Sequence, residues 1–389
     1  MKKLHKNVYL MGFLSLFNDL SSDMLTPLLP AWLNHLGYGV VFLGFLEGFA
    51  NISSNLAKLA SGFLSERFGT LKKWTFWGYF TSALARSFVA LPLVPVIFLA
   101  RFVDRLGKGF RTVPRDTLLT HCVDKSLWGR AFGVQRSMDH FGAMMASLLS
   151  TLILIFINPP FSLYFVAIAL PGLVSCLVFA PKLEEKKRAL EPRLEKATLI
   201  SWRKLDPPFR RYLIIIGLAA LTTPSDLFMI QRIQELGLPL KFVPLVWLLM
   251  NFCTLVAAYW GGWLSDHWGR RKTIATGWIL FSLVFIALSQ TRSLFLTISL
   301  IGFFGFQSGL VEASERSYTA SLALDHQRSS YLGWYYFAYG LGILPASLFF
   351  GWLWSFGGAG LAFISYALGG LIPIFLLLTI PSSQKPNSL

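Results

Sequence analysis

A phrase of the form Gly-x-x-x-Asp/Glu-x-x-Gly occurs twice in this chain, at residues 62–69 and 262–269. Each copy follows a long apolar stretch and precedes a short basic run. The same offset of 200 residues relates further pairs, namely Leu36-Gly37 and Leu236-Gly237, Asn51 and Asn251, Gly109 and Gly309, and Gly133 and Gly333. A constant offset over so many positions indicates a chain built from two related halves.

The composition requires a lipid environment for these halves. The chain is 54% hydrophobic and only 14% charged, whereas soluble domains carry roughly 25% charged residues. A membrane-spanning helix needs roughly 20 apolar residues, and twelve segments meet that requirement. They cover residues 8–35, 40–66, 74–93, 95–122, 128–157, 161–180, 211–236, 240–265, 273–290, 293–322, 329–354 and 359–380.

We therefore predict an all-α membrane protein with twelve transmembrane helices in two pseudo-symmetric six-helix bundles. The first bundle is predicted for residues 1–180 and the second for residues 211–389. Residues 181–210 form the only long hydrophilic stretch, which we interpret as a cytoplasmic linker between the bundles.

The net charge of +16 is explained by the membrane topology rather than by nucleic-acid binding. Most Lys and Arg residues outside the spans fall in the termini and in loops on one side, and only Lys241 and Arg292 fall in loops on the other. The positive-inside rule then places both termini in the cytoplasm of a bacterial inner-membrane protein. Segment 8–35 contains Asp19, Asp23 and prolines and lacks a small-x-small cleavage site, so we predict a retained span rather than a signal peptide.

The fourth span carries a stripe of charge that a lipid-facing helix cannot carry. At 100° per residue the charged side chains fall within an arc of about 140°. They are Arg101, Asp104, Arg105, Lys108, Arg111, Arg115 and Asp116. Each charge exposed to lipid costs about 2.5–3.5 kcal/mol even on insertion scales, so the stripe must face protein or an aqueous cavity.

Other spans supply polar residues that can meet this stripe: Asp19 and Asp23 in the first, Glu47 and Asn51 in the second, Arg136 and Asp139 in the fifth, and Asp226 in the seventh. Together with Arg101, Asp104, Arg105, Lys108 and Arg111 they form the predicted substrate and proton pathway. For Asp19 and Asp23 two interpretations stay open. Two close carboxylates in a low dielectric suit proton carriage, but the same residues can simply pair with arginines of the fourth span.

These patterns resemble the major facilitator superfamily over essentially the whole chain. The loop motif of that family reads Gly-x-x-x-Asp-Arg-x-Gly-Arg-Arg; the first copy here has Glu66 in place of Asp, and the second keeps Asp266 but has His267 in place of Arg. The resemblance implies that Glu66 and Asp266 latch the cytoplasmic ends of helices together. We assign Arg115, Asp116, Glu315 and Arg316 to the same cytoplasmic gate, as structural salt bridges rather than substrate contacts.

Arg101 and Gly107 match the helix-4 motif of the family, Arg-x-x-Gln-Gly-x-Gly, in which the Arg is associated with proton coupling; Asp104 and Arg105 replace its Gln and Gly. The longer run Asp-Arg-x-Gly-Lys-Gly-x-Arg-x-x-Pro-Arg-Asp resembles a bacterial subgroup of the superfamily. Gly107-Lys108-Gly109 lies inside a span, so we interpret it as helix packing rather than as a phosphate loop.

The sequence has no ATP-binding loop, nucleophile elbow or metal-ligand spacing, so we predict neither an enzyme nor a bound metal or cofactor. We expect secondary active transport of a small solute, coupled to protons, by a monomer. The cations of the fourth and fifth spans outnumber the nearby acids, which favours an organic anion, for example a carboxylate siderophore. Two alternatives stay open, namely proton-coupled efflux of lipophilic cations or drugs, and a membrane receptor or scaffold that transports nothing.

Overall fold

The computed structural model describes residues 4–26, 28–38, 40–68, 70–157, 159–185, 202–239, 242–324 and 327–379. Within these ranges the chain forms α-helices and short 3-10 turns, and none of the described residues is in a β-strand. The α-helices are α1 (Lys6–Leu25), α2 (Leu29–His35), α3 (Val40–Phe68), α4 (Leu71–Ser87), α5 (Val94–Cys122), α6 (Trp128–Phe156), α7 (Phe161–Phe179), α8 (Pro207–Leu221), α9 (Leu227–Glu235), α10 (Val243–His267), α11 (Arg270–Gln290), α12 (Leu294–Leu322) and α13 (Arg328–Thr379).

The prediction of an all-helical fold with twelve spans is confirmed. α13 contains the last two predicted spans. They are separated by a break in the helical geometry at Gly357 and Gly358, where Gly358 has a positive φ of 78°. Six stretches in the described part are long and apolar enough to cross a membrane by length and composition. They are Lys125–Phe156, Phe161–Lys182, Leu245–His267, Arg270–Gln290, Leu294–Leu322 and Arg328–Thr379.

Two spans that the sequence analysis treated as single helices are interrupted, which corrects that prediction. In the first span α1 ends at Leu25 and α2 begins at Leu29; in the seventh, α8 ends at Leu221 and α9 begins at Leu227. Both interruptions contain a proline, Pro27 or Pro224. Proline lacks the amide N–H and disfavours helical geometry in the residue before it. The two breaks lie within a few residues of equivalent positions of the 200-residue repeat.

The described helices belong to two compact units. The first comprises Met1–Asp124, Met138–Leu199 and His326–Gly333, and the second comprises Lys125–Ser137, Ile200–Asp325 and Trp334–Leu389. In the first unit α5 packs against α3 and α4, and in the second α12 packs against α10 and α11. α5 and α12 are themselves equivalent by the 200-residue offset. Residues 186–201 of the predicted linker lie outside the described part, and the division into halves at 181–210 stays a prediction.

Candidate functional site

The charged stripe of α5 meets a buried arginine of α4. The Asp104 carboxylate accepts hydrogen bonds from Ser82 Oγ at 2.5 Å and Arg86 Nε at 2.9 Å on one oxygen. Its other oxygen accepts one from Arg101 at 3.2 Å. The Arg86 and Arg101 side chains are 0% exposed and that of Asp104 is 2% exposed. One carboxylate therefore compensates two buried guanidinium groups, and we call these four residues the Asp104 cluster.

Arg86 links this cluster to α1. It donates to the Asn18 backbone oxygen at 2.9 Å, to Ser21 Oγ at 2.9 Å and to Asn18 Oδ1 at 2.7 Å. Asn18 Oδ1 also accepts a hydrogen bond from Arg111 of α5. Each side-chain nitrogen of Arg86 thus donates to a polar partner. These hydrogen bonds fix the positions of α1, α4 and α5 relative to one another.

Arg111 connects the buried part of the stripe to side chains that are partly exposed. It donates to Asp19 at 3.2 Å, and its guanidinium lies 4.1 Å from the centre of the Tyr79 ring. Lys108 forms an ion pair with the same carboxylate, and the distance between Lys108 Nζ and Asp19 Oδ1 is 3.9 Å. The Lys108 side chain is 34% exposed, whereas Arg111 is 2% exposed. Asp19 therefore bridges a buried cation and a reachable one.

Asp23 and Arg105 lie near Asp19 and Lys108, and we call these four partly exposed residues the open region. Both side chains are partly buried. Asp23 interacts electrostatically with Lys108, Asp19, Arg105 and Arg86. Four predicted pathway residues, Asp19, Asp23, Arg105 and Lys108, are thus brought together at one place by α1 and α5.

A second polar group follows along α5. Arg115 contacts Asp116 at 2.8 Å, and its guanidinium reaches Ser15 Oγ at 2.8 Å and Asp139 at 3.9 Å. Tyr79 completes the group, since its hydroxyl is 2.5 Å from Ser15 Oγ. All of these side chains are buried. Arg115 and Asp116 therefore form an ion pair on α5, and α1, α4 and α6 supply the neighbouring polar side chains Ser15, Tyr79 and Asp139.

The remaining predicted residues lie apart from this stripe. Arg136 donates to Glu312 of α12 at 2.5 and 2.6 Å, and Asp226 directly precedes α9. Asn51 is exposed on α3. The side chains of Glu47 and Glu66 lie outside the described part of the structure. Four of the cations that appeared in excess from the sequence each contact a carboxylate, so the excess is smaller than predicted; they are Arg101, Lys108, Arg111 and Arg136.

The second copy of the loop motif supplies a helix cap. Asp266 accepts hydrogen bonds from the backbone N–H groups of Gly129 and Arg130, both at 2.7 Å. These amides lie in the first turn of α6, where a helix has unsatisfied donors and a positive dipole end. Gly262 permits the close approach, because a Cβ there would lie 2.8 Å from the Gly133 Cα.

The basic residues that follow each motif contact carbonyl groups where the last helix of each predicted half ends. Lys72 Nζ donates to the Pro181 oxygen at 2.7 Å. Arg271 donates to the oxygens of Leu377 and Leu378 at 2.9 and 3.0 Å. A helix end exposes free carbonyls that cations stabilise. The basic run of this motif thus ties the start of one helix to the end of another in both repeats.

Glu184 and Glu185, at the start of the predicted linker, both contact residues of the first predicted bundle. The Glu185 carboxylate accepts the backbone N–H groups of Leu71 and Lys72 at 2.9 and 3.1 Å, which caps α4. Glu184 pairs with Lys6 at 2.5 Å. The hydrogen bond from Lys6 lowers the pKa of Glu184 below its ordinary value.

A twelve-span fold, a repeat of 200 residues and a capping carboxylate in the repeated motif all point to one family. A sequence profile described as Major Facilitator Superfamily matches residues 11–258 and 228–389. The chain belongs to the Major Facilitator Superfamily. The protein is therefore a multi-pass membrane transporter, and members of this superfamily are transporters rather than enzymes.

Relatives and solved structures agree with this membership. An uncharacterized MFS-type transporter of Methanocaldococcus jannaschii is 30% identical over 96% of this chain and 96% of its own length. An uncharacterized protein of Mycobacterium bovis is 23% identical over 95% of this chain and 92% of its own. The human organic anion transporter TETRAN shares the fold with a TM-score of 0.78 at 16% identity, over 97% of this chain and all of that one. The Escherichia coli fucose:proton symporter has a TM-score of 0.75 at 14% identity, over 97% and 98% of the two chains.

The α4 residues of the transporter's polar network were not among the residues predicted from the sequence. Arg86, Ser82 and Tyr79 each bond or stack with the predicted stripe, and Asn18 of α1 joins Arg86 to Arg111. The signal was present, because Arg86 is a buried charge in an apolar span and the three α4 residues recur at helical spacing. A single charge on a span was less conspicuous than the seven on α5.

We expect Asp266→Ala to loosen the start of α6. The variant loses the acceptor for two backbone N–H groups, and removing a helix cap costs about 0.5–2 kcal/mol. Hydrogen exchange of the peptide that covers Gly129 and Arg130 should become faster, while peptides in the middle of α11 keep their rates. His267→Ala, which removes the neighbouring side chain, serves as the matched control. Equal exchange in wild type and Asp266→Ala would show that the cap does not form in solution.

Proposed function

We propose that this transporter moves an organic anion across a bacterial inner membrane by alternating access, driven by protons. The family supports transport by rocking of two repeats around a central site. The observation that carries the substrate class is the position of Lys108, which is a partly exposed cation on a stripe whose arginines at positions 101 and 111 are buried and paired. A carboxylate of the substrate can reach this ammonium group without breaking the Asp104 cluster.

Arg105 strengthens the proposal for an anion. It lies one turn before Lys108 on α5, is partly buried and acts electrostatically on the same Asp23 and Asp104. A guanidinium binds a carboxylate through two parallel hydrogen bonds, while an ammonium group acts as a point charge. A polycarboxylate, such as a carboxylate siderophore with or without iron, can engage both groups at once. The proposed anion site therefore consists of Arg105 and Lys108.

Asp19 and Asp23 are the proposed proton carriers of this site. Asp19 shares its carboxylate between Arg111 and Lys108. A substrate that draws Lys108 away would leave Asp19 with one cationic partner fewer, which couples the substrate and the proton through one side chain. The cytoplasmic orientation of both termini and a monomeric state belong to the same proposal.

Efflux of a lipophilic cation is the second candidate, and one observation favours it. Asp23 is partly exposed, and within the described part of the chain no cation lies in ion-pair distance of its carboxylate. A carboxylate in that position attracts a cationic solute as well as a proton. The two candidates differ in which charge of the open region contacts the substrate.

The test is thermal unfolding of the purified transporter with citrate or with tetraphenylphosphonium. A ligand that binds the folded state stabilises it, by about 2.7 kcal/mol when its concentration is one hundred times Kd. We expect citrate to raise Tm in wild type and in the control Lys272→Gln, whose side chain is exposed on α11. The shift should disappear in Lys108→Gln and Arg105→Ala.

The opposite pattern would overturn the anion proposal. Stabilisation by tetraphenylphosphonium alone, abolished by Asp23→Asn, would favour cation efflux. Flux in proteoliposomes separates the two candidates further, because the charge reversal Arg105→Glu should abolish citrate transport and spare transport of a cation.

A further inference from the structure

Two charged dipeptides at equivalent positions of the repeat make different contacts. Arg115-Asp116 on α5 and Glu315-Arg316 on α12 occupy equivalent positions of the repeat, with the signs exchanged. Arg115 and Asp116 contact each other at 2.8 Å. Glu315 and Arg316 are also buried, at 3% and 6% exposure, yet they form no ion pair with each other. The same spacing therefore gives an ion pair in one unit and two side chains that do not pair with each other in the second.

Neutral groups surround the Glu315 side chain. Its carboxyl accepts a hydrogen bond from the Tyr335 hydroxyl at 2.7 Å, and the Trp278 side chain also acts on it electrostatically. Tyr212 donates to the Glu315 backbone oxygen at 3.3 Å. Among the described residues no Lys or Arg lies within 4 Å of the Glu315 carboxyl. A buried carboxylate ion without a cation is costly, whereas a carboxylic acid with neutral hydrogen-bond donors is not.

The charged groups near Glu315 are engaged elsewhere. Glu312, one turn earlier on α12, is paired with Arg136 of α6. The Arg316 guanidinium lies 5.5 Å from the centre of the Tyr336 ring, and its Nε and one terminal nitrogen have no hydrogen-bond partner among the described residues. Tyr339 of α13 faces both glutamates and Asp226, and Arg271 of α11 acts on Tyr318. None of these groups supplies the missing positive partner.

We propose that Glu315 is a proton-binding site in the second unit of this transporter. The Glu315 carboxylate takes one proton from water to form a neutral carboxylic acid that accepts a hydrogen bond from Tyr335, and it returns that proton to water when it ionises. The ionised form needs a cation, and Arg316 is the adjacent guanidinium, two of whose nitrogens have no hydrogen-bond partner among the described residues. Loss of the proton thus favours a rearrangement of α12 and α13 that brings Arg316 to Glu315.

The role of this proton in coupling rests on the proposed function, but its binding to Glu315 does not. The two units would then each hold a titratable carboxyl region, with Asp19 and Asp23 in the first and Glu315 in the second. The experiment must therefore detect the proton itself rather than transport.

Infrared difference spectra of the reconstituted protein, recorded between neutral and alkaline buffer, provide that test. We expect wild type to show a carbonyl-stretching band of a protonated carboxylic acid that disappears in alkaline buffer. The Glu315 component of this band should be lost in Glu315→Gln, which has the shape of the neutral acid. It should persist in Asp116→Asn, because the equivalent Asp116 is paired with Arg115. An identical band in wild type and Glu315→Gln overturns the proposal.

Tyr335→Phe provides a second variant that keeps the carboxyl group. Removal of the hydroxyl donor should move the band to higher frequency, since a hydrogen bond to a carbonyl oxygen weakens the C=O bond. An unshifted band would contradict the proposal even if Glu315→Gln does not fold. Citrate binding is measured separately, so failure of the anion proposal leaves the infrared result intact.

Discussion

Replacing Asp104 with asparagine is expected to destabilise the transporter by about 3–5 kcal/mol, because the variant removes a buried carboxylate that two buried guanidinium groups share. Arg86 and Arg101 are both 0% exposed and both donate to Asp104. Asparagine keeps the shape and can still accept a hydrogen bond, but it cannot balance either charge. The measurement is the free energy of unfolding of the purified protein in a denaturing detergent titration, with Tm as a second readout.

Glu235→Gln is the matched control for this prediction. Glu235 forms its ion pair with Arg232 at 3.4 Å, and its side chain is 39% exposed. Exposed ion pairs contribute only about 0–1 kcal/mol, so the same loss of charge should have a small effect here. The double variant with Arg86→Gln and Asp104→Asn should recover part of the stability, because one uncompensated charge is removed. Equal losses for Asp104→Asn and Glu235→Gln would show that the Asp104 cluster is not a buried unit.

The helices of this chain could be predicted from the sequence to within a few residues, because lipid imposes a length and the repeat imposes a symmetry. The predicted segment 95–122 became α5 at Val94–Cys122, and 293–322 became α12 at Leu294–Leu322. The length of an apolar segment is a local property of the sequence. The face of α5 on which each charged residue lies follows from the helical period alone. These features do not depend on which helices become neighbours.

The partners of the charges could not be predicted, because pairing depends on how the helices pack. Arg136 shares a helical face with Asp139 in the sequence, yet it contacts Glu312 at a separation of 176 residues, while Asp139 lies near Arg115. The equivalent dipeptides at 115–116 and 315–316 have the same spacing and different contacts. Helical periodicity thus identifies which charges are buried, whereas the contacts between helices decide which of them neutralise one another.

The interruptions of the first and seventh spans show a further limit of sequence patterns. The prolines at positions 27 and 224 were visible, but bending and breaking of a helix have the same local signal. In each case the structure begins a new helix two or three residues after the proline. Transporters place binding sites where helices are discontinuous, and the first break follows directly on the helix that carries Asp19 and Asp23. The breaks therefore support a site formed by the first span.

Replacing Gly107 with alanine is expected to destabilise the transporter by about 1–3 kcal/mol, because α5 and α4 touch at this glycine. A Cβ at Gly107 would lie 2.8 Å from the Gly78 backbone oxygen and 2.9 Å from the Ser82 Cβ. Neither backbone can yield without moving Ser82, whose hydroxyl donates to Asp104 at 2.5 Å. One added methyl group therefore strains the helix contact and the Asp104 cluster together. The measurement is again the free energy of unfolding in a denaturing detergent titration.

Gly217→Ala is the control, and it should act in the opposite direction. Gly217 lies within α8, and a Cβ there would meet no heavy atom within 4 Å. Without a steric conflict, alanine stabilises a helix interior by about 0.5–1 kcal/mol relative to glycine. The same substitution should thus lower stability at position 107 and raise it at position 217. A stabilising effect at both positions would mean that α4 and α5 do not approach each other this closely, and the alignment of Ser82, Arg86 and Asp104 would then need another cause.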